Sequence, residues 1–319
     1  MMSICRARPS FALILLVSLS ALKSRAETSP EIRVASALFG QFETVAYAKT
    51  DFLFDRHAFA QSTGDPENKL RFPFIEFIGG VNTLNPTAAS VLKANYQSVF
   101  AGARDFVSPQ GFGMVSSHQC FIAISEHSVP DIGSTFQRAA VEQIAGRHVW
   151  SWSIPPSEGE SGPTKFYALQ LSNIYFVMSN NAEDLIRMIT ALTSLNGSDA
   201  TKISALGWES FSRYSYWAYR QLRRQGVKDL EASGLDHLAA DVSALVFFAD
   251  VQDRKAFVRI YMSDGNMTTA PQIFPDSAEE KLADHGSGVW EASIPLTVDQ
   301  ARNELLFRIF YYFGFGVSA

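Results

Sequence analysis

One heptapeptide occurs twice in this chain. Val149-Trp150-Ser151-Trp152-Ser153-Ile154-Pro155 returns as Val289-Trp290-Glu291-Ala292-Ser293-Ile294-Pro295, with five of seven positions identical at an offset of 140 residues. In each copy aromatic and β-branched residues alternate with small or polar ones, and proline stops the run, which is the pattern of a strand. A weaker echo lies upstream. Asp105-Phe106 followed by Gly111-Phe112 matches Asp229-Leu230 followed by Gly234-Leu235, and the apolar runs Cys120–Ala123 and Ala244–Phe247 come next. The expectation is a unit of helix, strand and Trp-bearing strand written twice, each copy covering the other's apolar edge or face. The alternative is convergence of two proline-terminated strands.

The rest of the chain alternates short strand-like and helix-like segments without strict βαβ order. Ser29-Pro30-Glu31 is a helix start, and Thr44–Lys49 reads as a strand. Helices are expected near 51–61, 86–106, 132–145, 182–195, 208–225 and 297–313. Strands are expected at 117–125, 148–154, 166–171, 174–178, 243–250, 256–262 and 289–294. The fold class is α+β, with antiparallel sheets covered on one face by helices. The expected division is a cleaved signal over 1–26, a first α+β unit over 27–196 and a second over 197–319.

The first 26 residues read as an address. Arg6 and Arg8 precede the apolar stretch Phe11–Leu22, and Ser24-Arg25-Ala26 sets small residues where a signal peptidase reads. The stretch is shorter than the ~20 residues of a membrane span; an uncleaved anchor is the alternative. Cleavage changes the composition. The segment holds four basic residues and no acidic ones, so its loss takes the formal charge from −5 to −9. Cys5 leaves as well, and Cys120 becomes the one cysteine, so no intramolecular disulfide can staple the fold. The 25 phenylalanines then read as the core that holds it. An exported protein, periplasmic or extracellular, is the expectation.

The layout resembles uncharacterised exported bacterial α+β proteins with an internal duplication. The resemblance rests on the early strand Thr44–Lys49 and on the Asp…Gly-Phe/Leu stretches at Asp105 and Asp229 that precede apolar strands. It implies a fold texture over most of the chain and carries no functional motif.

The familiar catalytic signatures are absent. The chain has no Gly-x-Ser-x-Gly elbow, no phosphate-cradling loop ending in Lys and no His-Glu-x-x-His. Gly111-Phe112-Gly113 and Gly314-Phe315-Gly316 lack a third glycine and read as tight turns. His118 and Cys120 share a strand face, where an imidazole can activate a thiol; against this, Cys120 opens an apolar run and reads as core. His127 with Glu126 and Asp131, and His285 with Asp284, offer metal-ligand types at spacings that match no known cluster. Trp150 and Trp152 share a face, and aromatics on a sheet hold sugar rings or apolar ligands unless they fill a core.

Basic residues follow Tyr214, Tyr216, Trp217 and Tyr219, but the net negative charge opposes nucleic-acid binding. The apolar run 305–315 is too short and too charged to span a bilayer and reads as a core helix or a homo-oligomer surface. No cofactor or metal is expected. The leading expectation is therefore a non-enzymatic exported protein that binds an apolar or glycan ligand, or another envelope protein. Trp150, Trp152 and His118 are the candidate contacts. A hydrolase using His118, His127 or Asp131 is the runner-up, and a structural subunit docking through its last helix is a third.

Overall fold

The computed structural model describes residues 29–54, 74–85, 87–107, 115–155, 163–194, 212–221, 242–250, 255–262, 283–286 and 288–295. Its helices are α1 (Pro30–Phe39), α2 (Thr50–Phe54), α3 (Ile75–Leu84), α4 (Ala88–Asn95) and α5 (Ala182–Thr193). The strands are β1 (Thr44–Lys49), β2 (Ser98–Val107), β3 (Val115–Ile124), β4 (Ala140–Ile144), β5 (Arg147–Ile154), β6 (Thr164–Gln170), β7 (Tyr175–Ser179), β8 (Tyr216–Gln221), β9 (Val242–Asp250), β10 (Lys255–Met262), β11 (Ala283–Asp284) and β12 (Val289–Pro295).

All twelve strands join one antiparallel sheet in the order β11-β12-β10-β9-β8-β1-β2-β3-β7-β6-β5-β4. The fold is α+β. β1 is the hinge of this order, pairing with β2 on one side and β8 on the other. The two copies of the heptapeptide are β5 and β12, each second from its own end of the sheet, and β3 and β9 each lie second from β1.

Helices cover both faces, not one. Val34, Ala35 and Leu38 of α1, with Leu185, Met188, Ile189 and Leu192 of α5, pack on Val45, Phe100, Ile122, Val177 and Trp217. Phe52, Phe77, Val81 and Leu92 of α2, α3 and α4 pack on the opposite face, against Ala46, Phe121, Phe176 and Ala218. A sheet buried on both sides has no polar face, so its central strands lose the alternation that marks a half-exposed strand. In β1 the first five residues are all buried. Beneath α1, Tyr47 and Trp217 stack at 5.6 Å, Phe39 stacks on Trp217 at 6.2 Å, and Phe100 meets Tyr47 edge-on at 5.0 Å.

Double burial explains the main correction. The segment expected as a helix over 208–225 contains β8, whose Tyr216–Arg220 are buried between β1 and β9. A continuous aromatic run satisfies helical spacing as well as it fills a buried strand. The helix expected over 86–106 is α4 followed by β2. Gly102 lies within β2, where a Cβ would lie 2.7 Å from the Phe42 ring and 2.9 Å from Leu38 Cδ2, so the residue permits the close approach of α1 and the turn after it. The helix expected over 132–145 is a 3₁₀ turn (Gly133–Phe136) followed by β4. Ala145 and Gly146, at φ of 52° and 73°, close the β4–β5 hairpin with a two-residue turn. Ser29 caps α1 as expected, and Asn181 caps α5. The segments 297–313 and 305–315 lie outside the described residues. Among the described residues no helix is long and apolar enough to cross a membrane.

Candidate functional site: a buried Arg–Asp–His cluster and an aromatic sheet edge

His118 stands near the start of β3, with Arg104 of β2 directly opposite in the register. The face they share is the one α5 covers. Asn181 caps that helix, accepting from the Glu183 and Asp184 amides at 2.9 and 3.2 Å. The cap fixes the first turn over the sheet and presents the Asp184 carboxylate to both strands. Arg104 Nη2 donates to Asp184 Oδ1 at 2.6 Å, and His118 Nδ1 lies 2.9 Å from Asp184 Oδ2. Asp184 is 1% exposed, whereas the Arg104 and His118 side chains keep 19% and 26% of their surface. The corner is stitched further. Gln119 donates its amide to Asn180 Oδ1 at 2.7 Å, and Ser179 Oγ donates to the Gln119 carbonyl at 2.7 Å.

A carboxylate on the Nδ1 side of an imidazole is what orients a catalytic histidine. Here the second carboxylate oxygen is already held by Arg104, so the group is a closed ionic tie between helix and sheet. Cys120, two residues along the same face, is fully buried. Burial pushes its thiol well above the ordinary range, and the Asp184 charge adds to the shift. A thiol in that state is a packed hydrophobe and not a nucleophile.

The two tryptophans lie on the opposite face of the sheet from His118, so the three candidates do not form one site. Trp152 is locked in the core beneath α3, its Nε1 donating to the Gly80 carbonyl at 2.9 Å. Trp150 is half-buried and stacks flat on Phe136, with centroids 4.6 Å apart and planes 11° from parallel. Opposite Trp150 on β4 is Val141, 60% exposed at the end of the sheet. In the second copy of the heptapeptide Trp290 is buried, and Ala292 fills the place of Trp152.

The metal-ligand types are dispersed. His127 is exposed and its amide donates to Ser125 Oγ; Asp131 accepts from the Gly133 amide at 2.8 Å. Asp284 accepts from the Gly286 amide at 2.7 Å, and His285 Nε2 lies 3.6 Å from Glu291. Glu291 itself holds Arg259 through Nε at 3.0 Å and Nη2 at 2.6 Å. Among the described residues no three His, Cys, Asp or Glu side chains gather to hold a metal ion.

Sequence reasoning missed Arg104, Asp184 and Val141. Asp184 carried a signal, since it stands three residues after the Asn181 cap, where an acid favours the helix dipole. That position says nothing of which strands lie beneath. Arg104 and Val141 fell in segments expected to be helical.

No family model matches the chain, and no curated protein matches it. Among solved structures the chain is similar to TP0453. Its crystal form I has 11% identity and a TM-score of 0.42, covering 89% of this chain and 98% of that one. Crystal form III has 10% identity and a TM-score of 0.41, covering 86% and 97%.

Proposed function

We propose that this chain is an exported, non-enzymatic protein that binds or scaffolds, and that it acts through the sheet edge carrying Trp150. The observation behind this reading is the pairing of a half-buried Trp150, held flat by Phe136, with the exposed Val141 beside it. Rigid aromatic surface beside an apolar side chain is what protein contacts are built on. Export is supported by the Arg6 and Arg8 n-region, the Phe11–Leu22 stretch and Ser24-Arg25-Ala26. The partner is then a periplasmic or extracellular component.

We also read the sheet as one unit written twice about β1. The shared heptapeptide and the matching places of β5 and β12, and of β3 and β9, support this.

The test places photoreactive benzoylphenylalanine at position 150 of the full chain in its native envelope. The expected result is a covalent adduct with a polypeptide, on a chain whose N-terminus begins at Glu27. No adduct overturns the binding role. A cytoplasmic chain retaining Met1 overturns export.

A hydrolase is the second reading, favoured by the 2.9 Å contact between His118 and Asp184. It requires turnover of a chromogenic ester, amide or glycoside that His118→Ala abolishes while the fold survives. Equal and negligible turnover in both proteins removes it.

A further inference from the structure

We infer that the β4 edge is a self-association surface, on which a second copy of this chain pairs β4 with β4 antiparallel, centred on Val141. The inference rests on the reading that the Trp150 edge is where the protein makes contacts, and it names the partner.

Among the described residues the two ends of the sheet are unlike. One is β11, two residues long, with Asp284 turned back onto the Gly286 amide. The other is β4, five residues of unbroken register against β5, without proline or bulge. Strand ends of the first kind discourage pairing, and those of the second kind invite it.

The hairpin fixes which backbone groups are free to pair. The two-residue turn at Ala145-Gly146 makes Ile144 and Arg147 the closing hydrogen-bonded pair. Hydrogen-bonded and non-hydrogen-bonded pairs alternate along an antiparallel ladder. Glu142 and Ala140 therefore spend their amide and carbonyl on β5, while those of Val141 and Gln143 aim outward. Three registers of a second β4 are centred on residues 141 to 143, where the outward groups lie. Centring on Glu142 sets two carboxylates against each other, which is destabilising. A centre at Gln143 brings Val141 against Ala145, already in the turn. With Val141 at the centre, Val141 faces its own copy, Glu142 faces Ala140 and Gln143 faces Ala139.

The last register also resolves the exposed side chains. Val141 and Trp150 are cross-strand neighbours on one face. Pairing on Val141 makes a row of Trp, Val, Val and Trp across four strands and removes from water the most exposed large hydrophobic of the described residues. On the other face Glu142 is bound within its own copy by Lys165 at 2.7 Å and by Ser151, and its carboxyl is held below its ordinary value by those two partners.

The experiment is sedimentation velocity of the full mature chain over a dilution series, with oxidative crosslinking of single-cysteine variants. The wild-type chain is expected to dimerise. Val141→Pro removes one outward amide that the hairpin does not use, and is expected to give a folded monomer by circular dichroism. Should it unfold, Val141→Lys serves instead, setting two ammonium groups face to face. Val141→Cys is expected to form an intermolecular disulfide, because directly paired residues have Cα atoms roughly 5.5 Å apart. Gln143→Cys, facing Ala139, is expected not to. Cys120 is buried and does not compete.

A wild-type monomer at every concentration overturns the inference. So does a dimer that both Val141→Pro and Val141→Lys leave intact, or crosslinking through position 143 and not 141. A monomer whose position-150 photoadduct contains a different polypeptide overturns it while leaving the binding role standing.

Discussion

Asp184 is the residue on which the largest single effect is expected. Its carboxylate is buried and shared between Arg104 and His118, so removing it takes the carboxylate from both at once. A fully buried ion pair broken from one side costs roughly 3–5 kcal/mol. Arg104 and His118 retain some exposure, which lowers the cost, and Asp184→Ala is expected to lose about 2 kcal/mol in urea denaturation. Cys120 gives a pH signature. Its thiol titrates above the ordinary 9.0 in the folded chain, and Tyr216 lies above the ordinary 10.0, both because burial disfavours the charged form. Below the ordinary value both folded and unfolded chains hold the proton and stability is complete. Above it the unfolded chain loses the proton first, so stability falls as pH rises toward the folded value. Denaturation midpoints measured from pH 8 to pH 11 are expected to decline, and Cys120→Ala to flatten the onset near pH 9.0. At this scale the sequence was readable where burial alone decided. Cys120 was legible as core because it opens an apolar run, whereas the partner of His118 was not, since it comes from a helix 66 residues away.

Element by element, the capping signals were the most legible. Ser29 and Asn181 start helices where the sequence places them, because a cap is a bargain among residues three apart and needs no tertiary contact. Asn181→Ala is expected to cost about 1 kcal/mol, read by thermal denaturation, since two amides of α5 lose their acceptor. Glycines were less legible. Gly102→Ala drives a Cβ into Leu38 of α1 and the Phe42 ring in the turn after it, and is expected to cost about 1–3 kcal/mol. Gly80→Ala meets the mobile end of Met178 at 2.7 Å and gains about 1 kcal/mol of helix propensity inside α3. The same measurement is expected to find it near neutral. Neither glycine's role can be read from the sequence. One lies mid-strand and the other mid-helix, and their purpose is to admit a neighbour.

For the whole molecule, the order of the strands predicts the order of their opening. β1 is buried on both faces and paired on both sides by the two halves of the sheet, while β4 and β11 each have one described partner. Hydrogen exchange followed by mass spectrometry is expected to be slowest in β1, β2 and β8 and fastest in β4 and β11. Uniform protection across the sheet would contradict this. The sequence by itself determined the α+β class and most of the strands in which alternation or a proline stop survives. Those are local matters, set by period, caps and breakers. Only the tertiary structure decided that β8 is a strand, that helices lie on both faces, and that His118 and the tryptophans are separated by the sheet. A strand buried on both faces carries no periodic mark, and which residues meet across a sheet is fixed by register between segments far apart in the chain.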